Sequence, residues 1–100
     1  MKYTVIYIEA AMKDIAEITE YLSRFYPDTP LRFQRAVKKA IENLIDNPFM
    51  YAEYPENPKY RRIVVNDYLI FYKVIEASGV VEVHRVLYGM RDIAAHLSKH

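Results

Sequence analysis

The second half of the chain leaves little freedom in how it can fold. Three runs rich in β-branched and aromatic residues follow one another over about 60–66, 68–76 and 80–89. Asn66-Asp67 and Ala77-Ser78-Gly79 separate them, and Asn, Asp and Gly are the residues that tolerate the positive φ of hairpin turns. Strands joined by such short turns must lie side by side and antiparallel. Arg61, Arg62 and Arg85 sit inside or at the ends of these runs. An arginine in a strand is costly to bury unpaired, so it marks a sheet edge, an ion pair or a binding surface. A small sheet carrying arginines and tyrosines is a candidate platform for an anion or RNA.

The first half supplies the layer that such a sheet needs on its face. Lys2 to Ile8 reads as a strand, apolar on both sides and therefore expected in the middle of a sheet. Ala10 to Phe25 reads as a helix, with Met12, Ile15, Ile18, Leu22 and Phe25 at three- and four-residue steps and Asp14, Glu17, Glu20 and Arg24 elsewhere on the wheel. Tyr26-Pro27-Asp28-Thr29-Pro30 breaks it. Thr29 suits a helix N-cap, and Pro30 a first helical position, where its missing N–H costs nothing. A second helix follows from about Pro30 to Asp46, with a stripe of Phe33, Val37, Ala40, Ile41, Leu44 and Ile45. Asn47-Pro48 ends it, because a residue before proline is pushed out of the helical region. Phe49 to Pro58 is a loop with aromatic anchors, and a short helix is expected over Asp92 to Lys99. The order β-α-α-β-β-β-α describes an α+β fold: an antiparallel sheet with an N-terminal helical hairpin packed on one face, in one domain spanning 1–100.

Composition narrows the function classes. The chain has no cysteine, which excludes disulfides and thiolate metal sites and fits a reducing cytoplasm. The start of the chain is too short and too polar for a signal peptide, and no stretch approaches a membrane span. Three histidines without spaced carboxylates make no metal signature, and two glycines cannot build a phosphate loop. No metal and no cofactor is expected. Residues 1–58 carry a net −2 and residues 59–100 a net +3, so the second half is mildly basic.

Arg85 lies within an apolar run. It reads either as a phosphate contact or as an ion pair with a helix carboxylate such as Glu9 or Glu17. Strand alternation puts Arg85 with Val83 and Leu87, and His84 with Val86 and Tyr88. Tyr88 reads as a proton donor, a stacking ring or the edge of the core. Lys59, Arg61 and Arg62 form a basic cluster at a strand start, which is either a target surface or a charged edge that discourages aggregation. Phe49, Tyr51 and Tyr54 are either an exposed partner surface or a lid on the core.

The element order and two stretches carry a family resemblance. Tyr60-Arg61-Arg62-Ile63 with Tyr68 to Val74, and Val83-His84-Arg85-Val86-Leu87-Tyr88-Gly89-Met90-Arg91-Asp92, resemble the RelE/ParE superfamily of toxins from type II toxin–antitoxin (plasmid stabilisation) modules. Asn47-Pro48 closing the second helix fits the same pattern. The resemblance implies a cytoplasmic growth inhibitor, neutralised by a cognate antitoxin in a hetero-oligomer, with one of two mechanisms. RelE-like members cut ribosome-bound mRNA without a metal, which would make Arg85 and Tyr88 catalytic. ParE-like members inhibit DNA gyrase and cut nothing. In either case Lys59, Arg61, Arg62 and Arg91 would face the target, and Phe49, Tyr51 and Tyr54 the antitoxin. The chain departs from the ribonuclease pattern at Leu87, where some members carry histidine, and at Tyr68, where some carry arginine. The Gly89-Met90-Arg91-Asp92 tail is closer to the ParE branch. The expectation is therefore a ParE-like toxin acting on gyrase, with a RelE-like endoribonuclease as the alternative.

Overall fold

The computed structural model describes residues 2–25, 27–89 and 93–97. Its elements are β1 (Thr4–Tyr7), α1 (Glu9–Ser23), α2 (Thr29–Glu42), β2 (Arg61–Val65), β3 (Tyr68–Ile75), β4 (Val80–Tyr88) and α3 (Ile93–Leu97). Short 3₁₀ turns lie at Asn43–Ile45 and Glu76–Ser78. The expected order β-α-α-β-β-β-α is the observed one. Tyr26 in the first helix break, Arg91, and the terminal-helix positions Asp92 and Lys99 lie outside the described residues.

The four strands form one mixed sheet in the order β1-β4-β3-β2. The turns behave as their residues require. Asn66 takes φ 53° between β2 and β3, and Gly79 takes φ 65° before β4. β1 joins β4 in parallel, from Thr4 opposite Val80 to Tyr7 opposite Val83. It is an edge strand, not the central one its apolar sequence suggested, and Ile6 and Tyr7 stay exposed. The reason is topological. Hairpin-joined strands are already neighbours, so a fourth strand has only the outer edges left.

Helices α1 and α2 cover one face of the sheet. Phe33, Val37, Ile41 and Leu44 of the second helical segment pack on Ile63, Ile70, Tyr72, Val81, Val83 and Val86. The buried line of α1 is rotated from the expected stripe. Ala11 and Asp14 are buried and Ile15, Ile18 and Leu22 half-buried, whereas Met12 and Phe25 are exposed. The second helix starts one residue early: Asp28 holds the N-cap position without a side-chain capping bond, and Thr29 is already helical. Pro30 lies in the first turn and is buried. Tyr72 crosses the core and donates its hydroxyl to the Pro48 carbonyl at 2.7 Å. Burial pushes that phenol up to about 12.

The other face carries a second cluster of Tyr54, Tyr60, Phe71, Leu87, Ile93 and Leu97. A helix as short as α3 has no stability alone. Ile93 and Leu97 hold it against the sheet, each contributing about 1.5–3 kcal/mol of burial.

β4 contains one irregularity that matters for the site. Phe71 stands opposite Arg85 but Tyr72 stands opposite Val83, so β4 carries one extra residue there. This bulge resets the alternation. Val83 and Val86 both reach the helix-side core, while Leu87 reaches the opposite cluster. The strict alternation expected for residues 83–88 does not survive it.

Candidate functional site

β1 ends at Tyr7, and the Ile8 amide still donates to the Val83 carbonyl at 3.0 Å. The chain then enters α1, while β4 continues to Tyr88 beyond its last β1 partner, Val83. Over that stretch the outer edge of β4 has no strand beside it. Asp14, one and a half turns into α1, takes over. Its Oδ2 accepts the Val86 amide at 3.0 Å, as a neighbouring strand carbonyl would.

The same carboxylate holds Arg85 by two parallel bonds. Nε donates to Oδ2 at 2.7 Å and Nη2 donates to Oδ1 at 2.8 Å. A third bond runs from Nη1 to the His96 carbonyl at 3.3 Å, tying the pair to α3. The side chains are 11% and 8% exposed. The bonds to Asp14 raise the Arg85 guanidinium further above its ordinary value, against the opposing effect of burial. Of the readings open for Arg85, the ion pair is the observed one, with Asp14 as partner in place of Glu9 or Glu17. Asp14 lies three residues after Ala11 and four before Ile18, within the buried stripe. A carboxylate on that stripe was the available sequence signal for a buried partner.

Tyr88 is 43% exposed and lies at one end of a groove of about 460 Å³. Asp14, Glu17, Ile18 and Tyr21 of α1 line one wall, and Tyr68, Val86 and Tyr88 the other. The Tyr68 and Tyr88 rings meet at 5.9 Å, and Phe33 backs Tyr68 at 4.8 Å. Burial raises the Tyr68 phenol, and Asp67, Tyr21 and Tyr88 add to the effect. Among the described residues the groove is lined by two carboxylates, tyrosines and aliphatic side chains, and by no basic side chain.

The basic candidates lie elsewhere and are split. Arg61 donates Nη1 to the Tyr51 carbonyl at 2.7 Å and stacks over the Phe49 ring at 5.1 Å. Arg62, on the opposite face of β2, lies 5.2 Å over the Tyr54 ring. Lys59 is exposed, and Arg91 falls outside the described residues. The aromatic loop is split too. Phe49 is exposed and meets Tyr3 edge-on at 6.3 Å, and Tyr51 is half-buried against the main core. Tyr54, open between a partner surface and a lid on the core, is buried in the second cluster, where its ring lies beside Phe71.

His84 is buried beside Tyr60, ring to ring at 5.3 Å, with Nε2 3.0 Å from Glu82 Oε1. Among the described residues its Nδ1 has no hydrogen-bond partner. Lys73 Nζ sits 4.8 Å over the other side of this assembly, on the Tyr60 ring. Among the described residues no three His, Asp or Glu side chains gather as a metal site. No described helix is long and apolar enough to cross a membrane.

The structure therefore gathers Asp14, Arg85 and Tyr88 near one edge of β4 but gives them different tasks. Arg85 is committed to Asp14, Tyr88 faces an acidic groove, and the remaining cations lie around β2. Sequence reasoning missed Asp14 and Tyr21 as members of this region.

Comparison with known proteins bears on this arrangement. The family model for the ParE toxin of the type II toxin–antitoxin system parDE matches residues 5–93. The fold is similar to that of a chromosomal ParDE toxin–antitoxin system from P. aeruginosa. There the TM-score is 0.74 at 14% identity, over 87% of this chain and 96% of that one. It is also similar to a mutant E. coli toxin RelE in the free state, with TM-score 0.67 at 18% identity over 96% and 93%. The intact E. coli RelBE toxin–antitoxin complex gives TM-score 0.63 at 23% identity over 89% and 99%. No curated protein matches the chain by sequence.

Proposed function

Because the chain belongs to the ParE toxin family of type II toxin–antitoxin systems, we propose that it stops growth by binding DNA gyrase and not by cutting mRNA. One observation carries this reading: the guanidinium of Arg85 is held bidentately by Asp14 inside the protein. A phosphate clamp needs an arginine whose donors face the substrate. Freeing Arg85 for that role would leave the Asp14 carboxylate buried beside the Val86 amide without its counter-charge, at a cost of several kcal/mol.

The placement of Tyr88 supports the same view. A proton donor for RNA cleavage would share its groove with Glu17, whose negative charge disfavours a phosphate backbone, while the charge of Asp14 is answered by Arg85. Cleavage without a placed acid and base forgoes about 10²–10⁴-fold in rate. We assign contact with the target, in the cytoplasm, to Lys59, Arg61 and Arg62 around the start of β2 and to Arg91. A cognate antitoxin would hold the toxin in a hetero-oligomer. Of the aromatic loop, Phe49 with its exposed neighbour Met50 offers it apolar surface.

The test is to induce the chain in cells without an antitoxin and follow pulse incorporation of labelled thymidine and methionine. The expected result is an early fall in thymidine with methionine incorporation following later. An immediate fall in methionine with thymidine spared would overturn the gyrase reading and return Arg85 and Tyr88 to the chemistry.

A further inference from the structure

We propose that the groove between α1 and the β3–β4 edge is a receptor for a single arginine side chain, presented by a protein segment that binds the toxin. The inference rests on the reading that such a partner, the antitoxin, exists; the groove's chemistry is argued independently of it.

Charge gives the first reason. Asp14 is answered by Arg85, whose charge also reaches Glu17, but among the described residues no basic side chain forms a direct ion pair with Glu17, which stands on the exposed wall. Asp67 is close enough to act on the Tyr68 hydroxyl and adds negative charge near that residue. An incoming cation meets a net negative field and needs to displace no resident one.

The walls give the second reason. Tyr21, Tyr68 and Tyr88 line the groove, and a cation over a tyrosine face is attracted by its quadrupole. Guanidinium suits such a site better than ammonium. It is planar, weakly hydrated, and can lie along a ring while two donors meet the Glu17 carboxylate. The protein already places a guanidinium over an aromatic ring twice, with Arg61 over Phe49 and Arg62 over Tyr54. At about 460 Å³ the groove falls within the range of small-ligand pockets and has room for one long side chain with its water. An aliphatic stem would lie on Ile18 and Val86.

The experiment uses the isolated chain with ring-labelled tyrosines, observed by NMR at low salt. The probes are the capped tripeptide glycine–arginine–glycine and its citrulline counterpart, which has the same shape without the charge. The arginine peptide is expected to shift the Tyr21, Tyr68 and Tyr88 rings, and the citrulline peptide to leave them in place. Glu17→Gln, an exposed change on α1 that leaves the fold intact, should weaken binding about threefold or more, the scale of an exposed ion pair. Tyr88→Leu should weaken it by a similar factor through the lost ring. No movement of these rings, equal movement with citrulline, or indifference to Glu17→Gln would overturn the site. None of these outcomes depends on gyrase, so the receptor can fail while the toxin reading stands, and the reverse.

Discussion

At the scale of single residues, Asp14 decides more than any other side chain. It closes the free edge of β4 and neutralises Arg85 with the same two oxygens. Asp14→Ala should lower stability by about 3–5 kcal/mol in chemical denaturation, because a buried guanidinium loses its counter-charge. Replacing both partners, Asp14→Leu with Arg85→Met, should recover most of that loss. The double variant should still fall short of the parent by about 1–3 kcal/mol, the cost of the Val86 amide left without an acceptor. Equal stability of parent and Asp14→Ala would remove the structural role assigned to the pair. Tyr72 gives a second prediction. Its phenol is raised to about 12 in the fold, against about 10 in an unfolded chain. The folded state therefore holds the proton more tightly. The stability linked to it is intact below pH 10 and is lost as pH rises from 10 to 12, up to about 3 kcal/mol. Tyr72→Phe should flatten the alkaline arm of the stability profile by one proton, and an unchanged arm would contradict the burial of this hydroxyl. Neither residue stood out in the sequence. Asp14 looked like part of a solvated helix face, because only Ala11 and Ile18 around it, not Met12, show which side of α1 is buried.

At the scale of elements, the hairpins were the most legible part of the chain. Asn66 and Gly79 both adopt the left-handed backbone that their residue types announce. Asn66→Gly should leave the melting temperature nearly unchanged. Asn66→Val, which puts a β-branched side chain at φ 53°, should cost about 1–2 kcal/mol or more in thermal unfolding. If valine were tolerated as well as glycine, the turn geometry described for β2–β3 would be wrong. Two element-scale features were not legible. The β4 bulge leaves no mark in Val83-His84-Arg85-Val86, since every residue in that run is an acceptable strand residue. It nevertheless separates Val83 and Leu87 onto opposite faces. The edge position of β1 was hidden because hydrophobicity reports burial, whereas edge or centre is set by which neighbours are already paired. The candidate site was legible only in part. Arg85 and Tyr88 could be picked out by residue type, but the carboxylate that holds Arg85 comes from α1, 71 residues away in sequence.

At the scale of the whole molecule, the fold keeps its charges apart. Asp14 and Glu17 lie on the α1 side of the β4 edge, and Lys59, Arg61 and Arg62 lie around the start of β2. A ribonuclease would need a cation with donors turned to the phosphate beside its proton donor, whereas the arginine near Tyr88, Arg85, gives two of its donors to Asp14. A protein that works by docking needs only separate surfaces: one for its target, one for the segment that neutralises it. The most direct test adds the purified chain, in one preparation, to ATP-dependent supercoiling by gyrase and to ribosome-bound mRNA. Supercoiling is expected to stop while the mRNA stays intact, with Tyr88→Phe behaving as the parent does. Cleaved mRNA with supercoiling untouched, abolished by Tyr88→Phe, would contradict the gyrase reading.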